Sequence, residues 1–269
     1  MRTRESLRAG VVLVLLVSSH TAAGVTLVDV SRQVVAFTVV ADPPVFFDID
    51  TVAQSSEEAG HFLEAAVSSI GLADVTNASA ESLQNSSVSV DSSGVLRAEG
   101  SGSVGVAFDV FAPGAPARAR GNADTTLSIL FEIEEPSVFS VGVVVSADLF
   151  QVDVHSSTRP TLIDVHATAL LVGAASGVVF ERNVEDLLAD DQVVSGEVSL
   201  FGTLAPDTYV LELFAFVDVE GFEDSVGLAT AGFGYDLTII PEPGSGALLA
   251  LGLLALCARG RPLRRPKLS

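Results

Sequence analysis

The sequence predicts an all-β protein, an antiparallel β-sandwich of Greek-key or jelly-roll-like type, with an N-terminal signal helix and a C-terminal transmembrane helix outside it. Three observations predict it. β-Branched residues dominate the interior of the chain, while runs with helical period are scarce. Apolar residues alternate with polar ones, as in GVAFDVF (105–111) and TTLSILFEI (125–133), the period that puts one face of a strand on a core. Gly, Pro, Ser and Asn punctuate the chain about every ten residues, the spacing of an antiparallel sandwich.

In chain order, strands are expected at Val25–Val30, Val34–Ala41 and Val45–Asp50, separated by Arg/Gln and by Ala-Asp-Pro-Pro. Further strands are expected at Val104–Phe111, Thr125–Ile133, Val138–Leu149, Gln151–His155 and Thr161–Val172. Val193–Leu204, Thr208–Val219 and Val226–Ile240 complete the set. The stretch EEAGHFLEAAVSSI (57–70) fits either three helical turns, with Phe62, Ala66 and Ile70 on one face, or a strand. Gly60 and the paired serines lower helix propensity and favour the strand. Residues 76–93, rich in Ser, Asn and Ala, read as a long loop or an edge strand. Leu204-Ala-Pro-Asp-Thr-Tyr209 places a turn just before a strand that opens at a tyrosine. It resembles the tyrosine corner of Greek-key sandwiches, so Tyr209 is expected to be structural.

The two ends differ from the body. Residues 1–23 carry Arg2, Arg4 and Arg8, an apolar run from Ala9 to Val17, and small residues ending at Ala23. That is the organisation of a signal peptide read by the Sec export machinery, cleaved after Ala23 or after Gly24. At the other end, 241–269 holds Pro241-Glu242-Pro243, an uncharged segment 244–258 with six leucines, and a basic terminus 259–269. Fifteen residues fall short of the roughly 20 that a bilayer core needs, so the segment is a marginal anchor, and on its own it reads equally as an ordinary C-terminal anchor behind a proline-containing linker. Arg259, Arg261, Arg264, Arg265 and Lys267 keep that end cytoplasmic and put the body outside. Pro241 and Pro243 stop the last strand from running into the helix.

The 24–240 body, one large domain or two small ones, is long enough to bury a core. The whole chain is at −20; without a leader of +2 and a tail of +4 the body is at −26, with six arginines and no lysine. Such a body has no means of binding nucleic acid or anionic lipid, which both require basic surface. The single cysteine, Cys257, lies in the apolar tail, so the body forms no disulfide.

Pro-Glu-Pro, a short Gly/Ala/Leu helix and an Arg-rich terminus, in that order, resemble the PEP-CTERM sorting signal of exported proteins of Gram-negative bacteria. The resemblance covers the last 29 residues, and Pro262 and Pro266 interrupt the basic cluster that the family often shows. It implies that an exosortase recognises Pro241, Glu242 and Pro243 and removes the helix after transient residence in the inner membrane. The body would then reach the cell surface or an extracellular polysaccharide or biofilm matrix.

Within the body no catalytic motif is evident: there is no G-x-S-x-G, and only His61, His155 and His166 are available as bases. A non-enzymatic structural protein is expected, with no cofactor. Two DVH triplets offer a candidate metal site: if Ser156–Pro160 turns a hairpin, Asp153, His155, Asp164 and His166 face one way. The competing reading is the polar face of a half-buried hairpin. Calcium has two acidic candidates, Asp48-Ile49-Asp50 and the 218–224 loop with Asp218, Glu220 and Asp224, neither of EF-hand pattern. They define the alternative function, a calcium-dependent, lectin-like carbohydrate-binding module, against which the lack of tryptophan weighs.

Overall fold

The computed structural model describes residues 24–42, 46–72, 76–111, 117–153, 163–185, 194–222 and 225–242. The leader with its Ala23 cleavage point, Pro243, the apolar segment 244–258, the basic end, His155 and Asp224 lie outside the described residues. The described chain is all-β, two antiparallel six-stranded sheets with no helix. Among these residues no helix is long and apolar enough to cross a membrane.

One sheet holds β1 (Val25–Asp42), β2 (Phe46–Ser56), β6 (Arg118–Ile133), β8 (Ile163–Gly173), β9 (Gly177–Glu185) and β11 (Asp207–Phe222), in the order β2-β1-β6-β11-β8-β9. The other holds β3 (Gly60–Leu72), β4 (Thr76–Val90), β5 (Leu96–Val110), β7 (Ser137–Asp153), β10 (Val194–Leu204) and β12 (Ser225–Pro241), in the order β10-β7-β12-β5-β4-β3. Across the sandwich β2 lies on β3, β1 on β4, β6 on β5, β11 on β12, β8 on β7 and β9 on β10. Five of these six stacked pairs are consecutive in the chain. The chain therefore arches from sheet to sheet more often than it turns back within one.

Alternation builds the core. β6 buries Ala119, Gly121, Ala123, Thr125, Leu127, Ile129, Phe131 and Ile133 and turns the alternate residues outward. Burying each leucine, isoleucine or phenylalanine contributes about 2 kcal/mol before chain entropy is counted. Phe108 of β5 fits where two glycines remove side chains: a methyl built on Gly221 or Gly227 would lie 2.1 or 2.3 Å from its ring.

Three expectations are corrected. Arg32-Gln33 does not separate two strands but lies inside β1, and the irregularity falls at Leu27/Asp29, where Val28 is pushed out to 53% exposure. Arg32 points inward and is buried. Its Nε donates to Ser86 Oγ at 2.9 Å, and its terminal nitrogens donate to the carbonyls of Glu58 and Gly60, holding the β2–β3 connection. A polar residue read as punctuation is thus a core staple.

Residues 76–90 are not a loop or an edge but strand β4, paired to β3 on one side and β5 on the other. Its inward positions include Thr76, Ser82, Gln84 and Ser86, so the strand lacks the apolar alternation by which strands are read. Ser82 donates to the Asp124 carbonyl at 2.6 Å, and Ser86 serves Arg32. The third correction is β9, which was not expected; its two inward apolar residues are Phe180 and Val184.

The stretch 57–70 forms β3 from Gly60 onward. Phe62, Ala66 and Ile70 are all buried, because a spacing of four satisfies the period of a strand as well as that of a helix.

Both open sides of the sandwich are crossed by polar side chains. At the β2/β3 side Gln54 Nε2 donates to the Ala65 carbonyl at 3.1 Å, and Ser68 Oγ donates to the Asp50 carbonyl at 3.1 Å. At the β9/β10 side Arg182 fills the space over Gly196, where a methyl would meet its Nε at 2.1 Å.

Candidate functional site

The outer face of the first sheet gathers a patch that motif reading did not assemble. In β11, Ala215, Val217 and Val219 point into the core, which turns Phe214, Phe216, Asp218 and Glu220 outward. In β8, Val165, Ala167 and Ala169 are inward and Asp164, His166 and Thr168 outward. In β6, Ala119, Gly121 and Ala123 are inward, leaving Arg118, Arg120, Asn122 and Asp124 on the outer face. The register then sets His166 opposite Phe216, Phe216 opposite Asp124, and Asp218 between Asp164 and Asn122.

Three rings meet on this face. The His166 ring lies 5.4 Å from that of Phe214 and 5.2 Å from that of Phe216, and the two phenylalanines stack at 5.8 Å. Across β6, with Asn122 and Asp124 between, Phe37 of β1 is half-buried on the same face.

The polar groups hold one another. Arg120 makes a two-pronged ion pair with Asp218, Nε to Oδ1 at 2.8 Å and the second nitrogen to Oδ2 at 2.5 Å. The Asp218 side chain is only 10% exposed, so this pair is less screened than a surface one. Hydrogen bonding to Asp218 raises the Arg120 pKa, with burial opposing it. Arg118 pairs with Glu220 at 3.4 Å, and His166 Nδ1 meets Asp164 Oδ1 at 2.7 Å. Burial raises the Asp124 carboxyl above its ordinary value.

The candidate metal hairpin does not form. β7 and β8 belong to opposite sheets: Asp153 stands opposite Ser225 of β12, whereas Asp164 stands opposite Asp218 of β11. The two strands therefore form no hairpin with each other; Ser156–Pro160 and His155 lie outside the described residues, and of the described candidates Asp164 and His166 stay together. The acidic loop 218–224 is strand as far as Phe222, with Asp218 and Glu220 each answering an arginine that calcium would have to displace. Asp48 and Asp50 lie within β2; Asp48 Oδ1 accepts the Ile49 amide at 2.9 Å. Among the described residues no group of three or more His, Cys, Asp and Glu side chains is arranged to hold a metal.

The Tyr209 hydroxyl donates to the Ala205 carbonyl at 3.1 Å, back across the turn that precedes β11. It lies 3.2 Å from Ser176 Oγ, and its ring stacks on Phe131 at 5.7 Å. Beside it the Asp207 carboxylate accepts the amides of Ser176 (2.7 Å), Ala175 (2.9 Å) and Thr208 (2.8 Å). These bonds, Ser176 foremost, hold its pKa down to about 2.

At the same end of the sandwich the two limits of the body meet. Val25 N donates to the Gly94 carbonyl at 3.2 Å. A methyl built on Gly94 would lie 3.0 Å from Gly24 Cα and 3.6 Å from the Pro241 ring. Pro241 pairs with Ser137 at the end of β12, and the Glu242 amide donates to the Pro136 carbonyl at 3.2 Å.

Sequence reasoning missed Phe37, Arg118, Arg120, Asn122, Asp124, Phe214 and Phe216. The signal was present in FAFVDVE (214–220), where aromatic and acidic residues alternate with core residues. What periodicity could not supply was which strands stand beside it.

No protein-family model matches the chain, and no curated protein matches it. Solved structures of infectious bursal disease virus are among the chains it is similar to. For the Gt strain the identity is 12% over 87% of this chain and 72% of the viral one, with a TM-score of 0.19. For the Gx strain it is 12% over 88% and 75%, with a TM-score of 0.18. Superpositions this poor carry no inference about fold or function.

Proposed function

We propose that the chain is an exported, non-enzymatic structural protein of the cell surface or of an extracellular polysaccharide or biofilm matrix. The leader 1–23 directs it to the Sec machinery and is removed after Ala23. The short helix 244–258, with its basic end inside, holds it briefly in the inner membrane. An exosortase then acts at Pro241-Glu242-Pro243 and releases the body.

The observation that supports this reading best is the meeting of Gly24 and Pro241 at one turn, Asp91–Val95. Leader and tail would leave the body from one pole, so a body tethered at either end stands off the membrane in the same orientation. The exposed Glu242 follows the last paired residue of β12 directly and is held to the fold by one backbone hydrogen bond. That is a light attachment for a segment that a membrane enzyme must grasp.

Mass spectrometry of the protein recovered from the cell exterior tests the proposal. The expected form begins at Gly24 and ends between residues 241 and 244, and replacing Glu242 by Ala should leave the body in the membrane fraction. An exported form that ends at Ser269 would overturn it and leave a plain membrane anchor.

A further inference from the structure

We infer that the outer face of the first sheet, around Phe216, is a binding site for a neutral polysaccharide, and that it works without calcium. This deepens the proposed function, on which it rests for its setting, by naming the class of ligand and the surface that takes it.

The chemistry points to a sugar chain. Pyranose rings present patches of C–H to aromatic side chains and hydroxyls to planar polar groups that both donate and accept. Here the Phe214–His166–Phe216 cluster lies on one side of β6 and Phe37 on the other, with Asn122 and Asp124 between them. Asn122 supplies two donors and an acceptor, and Asp124 further acceptors. Two strand spacings of about 4.8 Å separate β1 from β11, enough for about two sugar residues laid across the face.

Charge narrows the class. The chain as a whole is at −20, which disfavours anionic ligands and a second copy of itself alike. Two of the body's six arginines nevertheless stand in this patch, each committed to a carboxylate of β11, and Asp164 is committed to His166. Among the described residues of the patch the ion pairs leave no free cation to hold an anionic polymer, and with Asp164, Asp218 and Glu220 paired only the carboxylate of Asp124 is left, little to hold a cationic one. What remains on offer is fixed hydrogen-bonding geometry beside apolar rings, which suits an uncharged polyhydroxylated chain. Calcium is not needed, since Asp164, Asp218 and Glu220 are already paired and Asp124 alone is too few ligands for it.

Position agrees. On β6, Ile133 lies at the pole where Gly24 and Pro241 meet, and Asn122 is eleven residues away, roughly 35 Å at the rise of a strand. A body tethered at that pole carries the patch on its far half, facing outward.

Affinity electrophoresis of the full chain tests the inference. The protein is run in native gels that contain a β-glucan, a galactomannan, dextran or the anionic polymer alginate, with EDTA throughout. At least one neutral polysaccharide should retard it, and alginate should not. Phe216→Ala and Asn122→Ala should each weaken retardation about tenfold, while Ser128→Ala, on the same face nearer the tethered pole, should leave it unchanged. Circular dichroism and melting curves confirm that each variant is folded. Should Asn122→Ala fail to fold, Asn122→Asp keeps the shape and removes the donors. Retardation by no neutral polysaccharide, or retardation that folded Phe216→Ala retains, overturns the inference. So does a dimer in sedimentation that Phe216→Ala dissolves, which would make the patch a protein interface. Because the gel needs no processing of the tail, failure here leaves the export reading standing, and an unprocessed tail leaves this one standing.

Discussion

The amide of Val25 donates to the carbonyl of Gly94 at 3.2 Å, so the first strand of the body hangs on the same turn that abuts Pro241. The turn is built for this. Asp91 Oδ1 accepts the amides of Ser93 at 2.8 Å and Val95 at 3.1 Å, and Gly94 has φ of +79°.

Gly94→Ala should therefore destabilise the protein by about 2 kcal/mol, part from the left-handed backbone and part from the methyl pressed on Gly24. Gly177→Ala is the control, with φ of +77° but nothing within 4 Å of its added methyl. It should lose only the backbone part, about 1 kcal/mol. Urea unfolding of both variants checks the difference; equal losses would show that the Gly24 contact is unimportant.

Phe108 and Gly221 form a ring and its slot. Gly221→Ala should cost about 2–3 kcal/mol by overpacking, and Phe108→Leu about 1–2 kcal/mol by loss of filled volume. Combined, they should cost less than their sum by about 1 kcal/mol, because the smaller leucine makes room for the methyl. A double-mutant cycle in denaturant measures it, and strict additivity would refute the slot.

Gln84 is buried, and neither its Nε2 nor its Oε1 has a hydrogen-bond partner among the described residues. An unpartnered buried amide costs about 1–3 kcal/mol, so Gln84→Met, which keeps shape and volume, should stabilise the protein by about 1 kcal/mol. Thermal unfolding reads this as a higher melting temperature; a lower one would mean that the amide is serving a partner.

Asp207 carries the clearest pH dependence. Its carboxyl, ordinarily at 3.8, is held at about 2 by the hydrogen bonds of Ser176 first and then of Ala175 and Thr208. A lowered acid pKa means that the anion is the stabilised form. Its contribution is full above the ordinary value and disappears as pH falls through about 2. Asp207→Asn should melt below the parent at neutral pH, and the gap should close between pH 4 and pH 2. A gap independent of pH would remove the carboxylate from the account.

By itself, the sequence determined the fold class, most of the strands, and the placing of Tyr209 beside a turn. These are local properties. Alternation such as TTLSILFEI registers a strand with one face on a core whatever its partners, and Pro206-Asp207 marks a turn in any context. The charge and apolar length of the two ends are likewise readable without a fold. Tertiary structure decided the rest. β4 escaped because its inward serines and Gln84 look like surface until Arg32 and the Asp124 carbonyl stand opposite. Arg32 itself read as punctuation because an isolated charge looks like a turn, until the β2–β3 connection supplies carbonyls to receive it. Asp153 and Asp164 part because adjacency along the chain becomes stacking across two sheets when consecutive strands change sheet. The patch around Phe216 was visible only in part. Alternation puts Phe214 and Phe216 on one face, but His166, Asn122 and Phe37 reach that face through pairings between strands far apart in the sequence, and pairing is set by the packing of the whole chain.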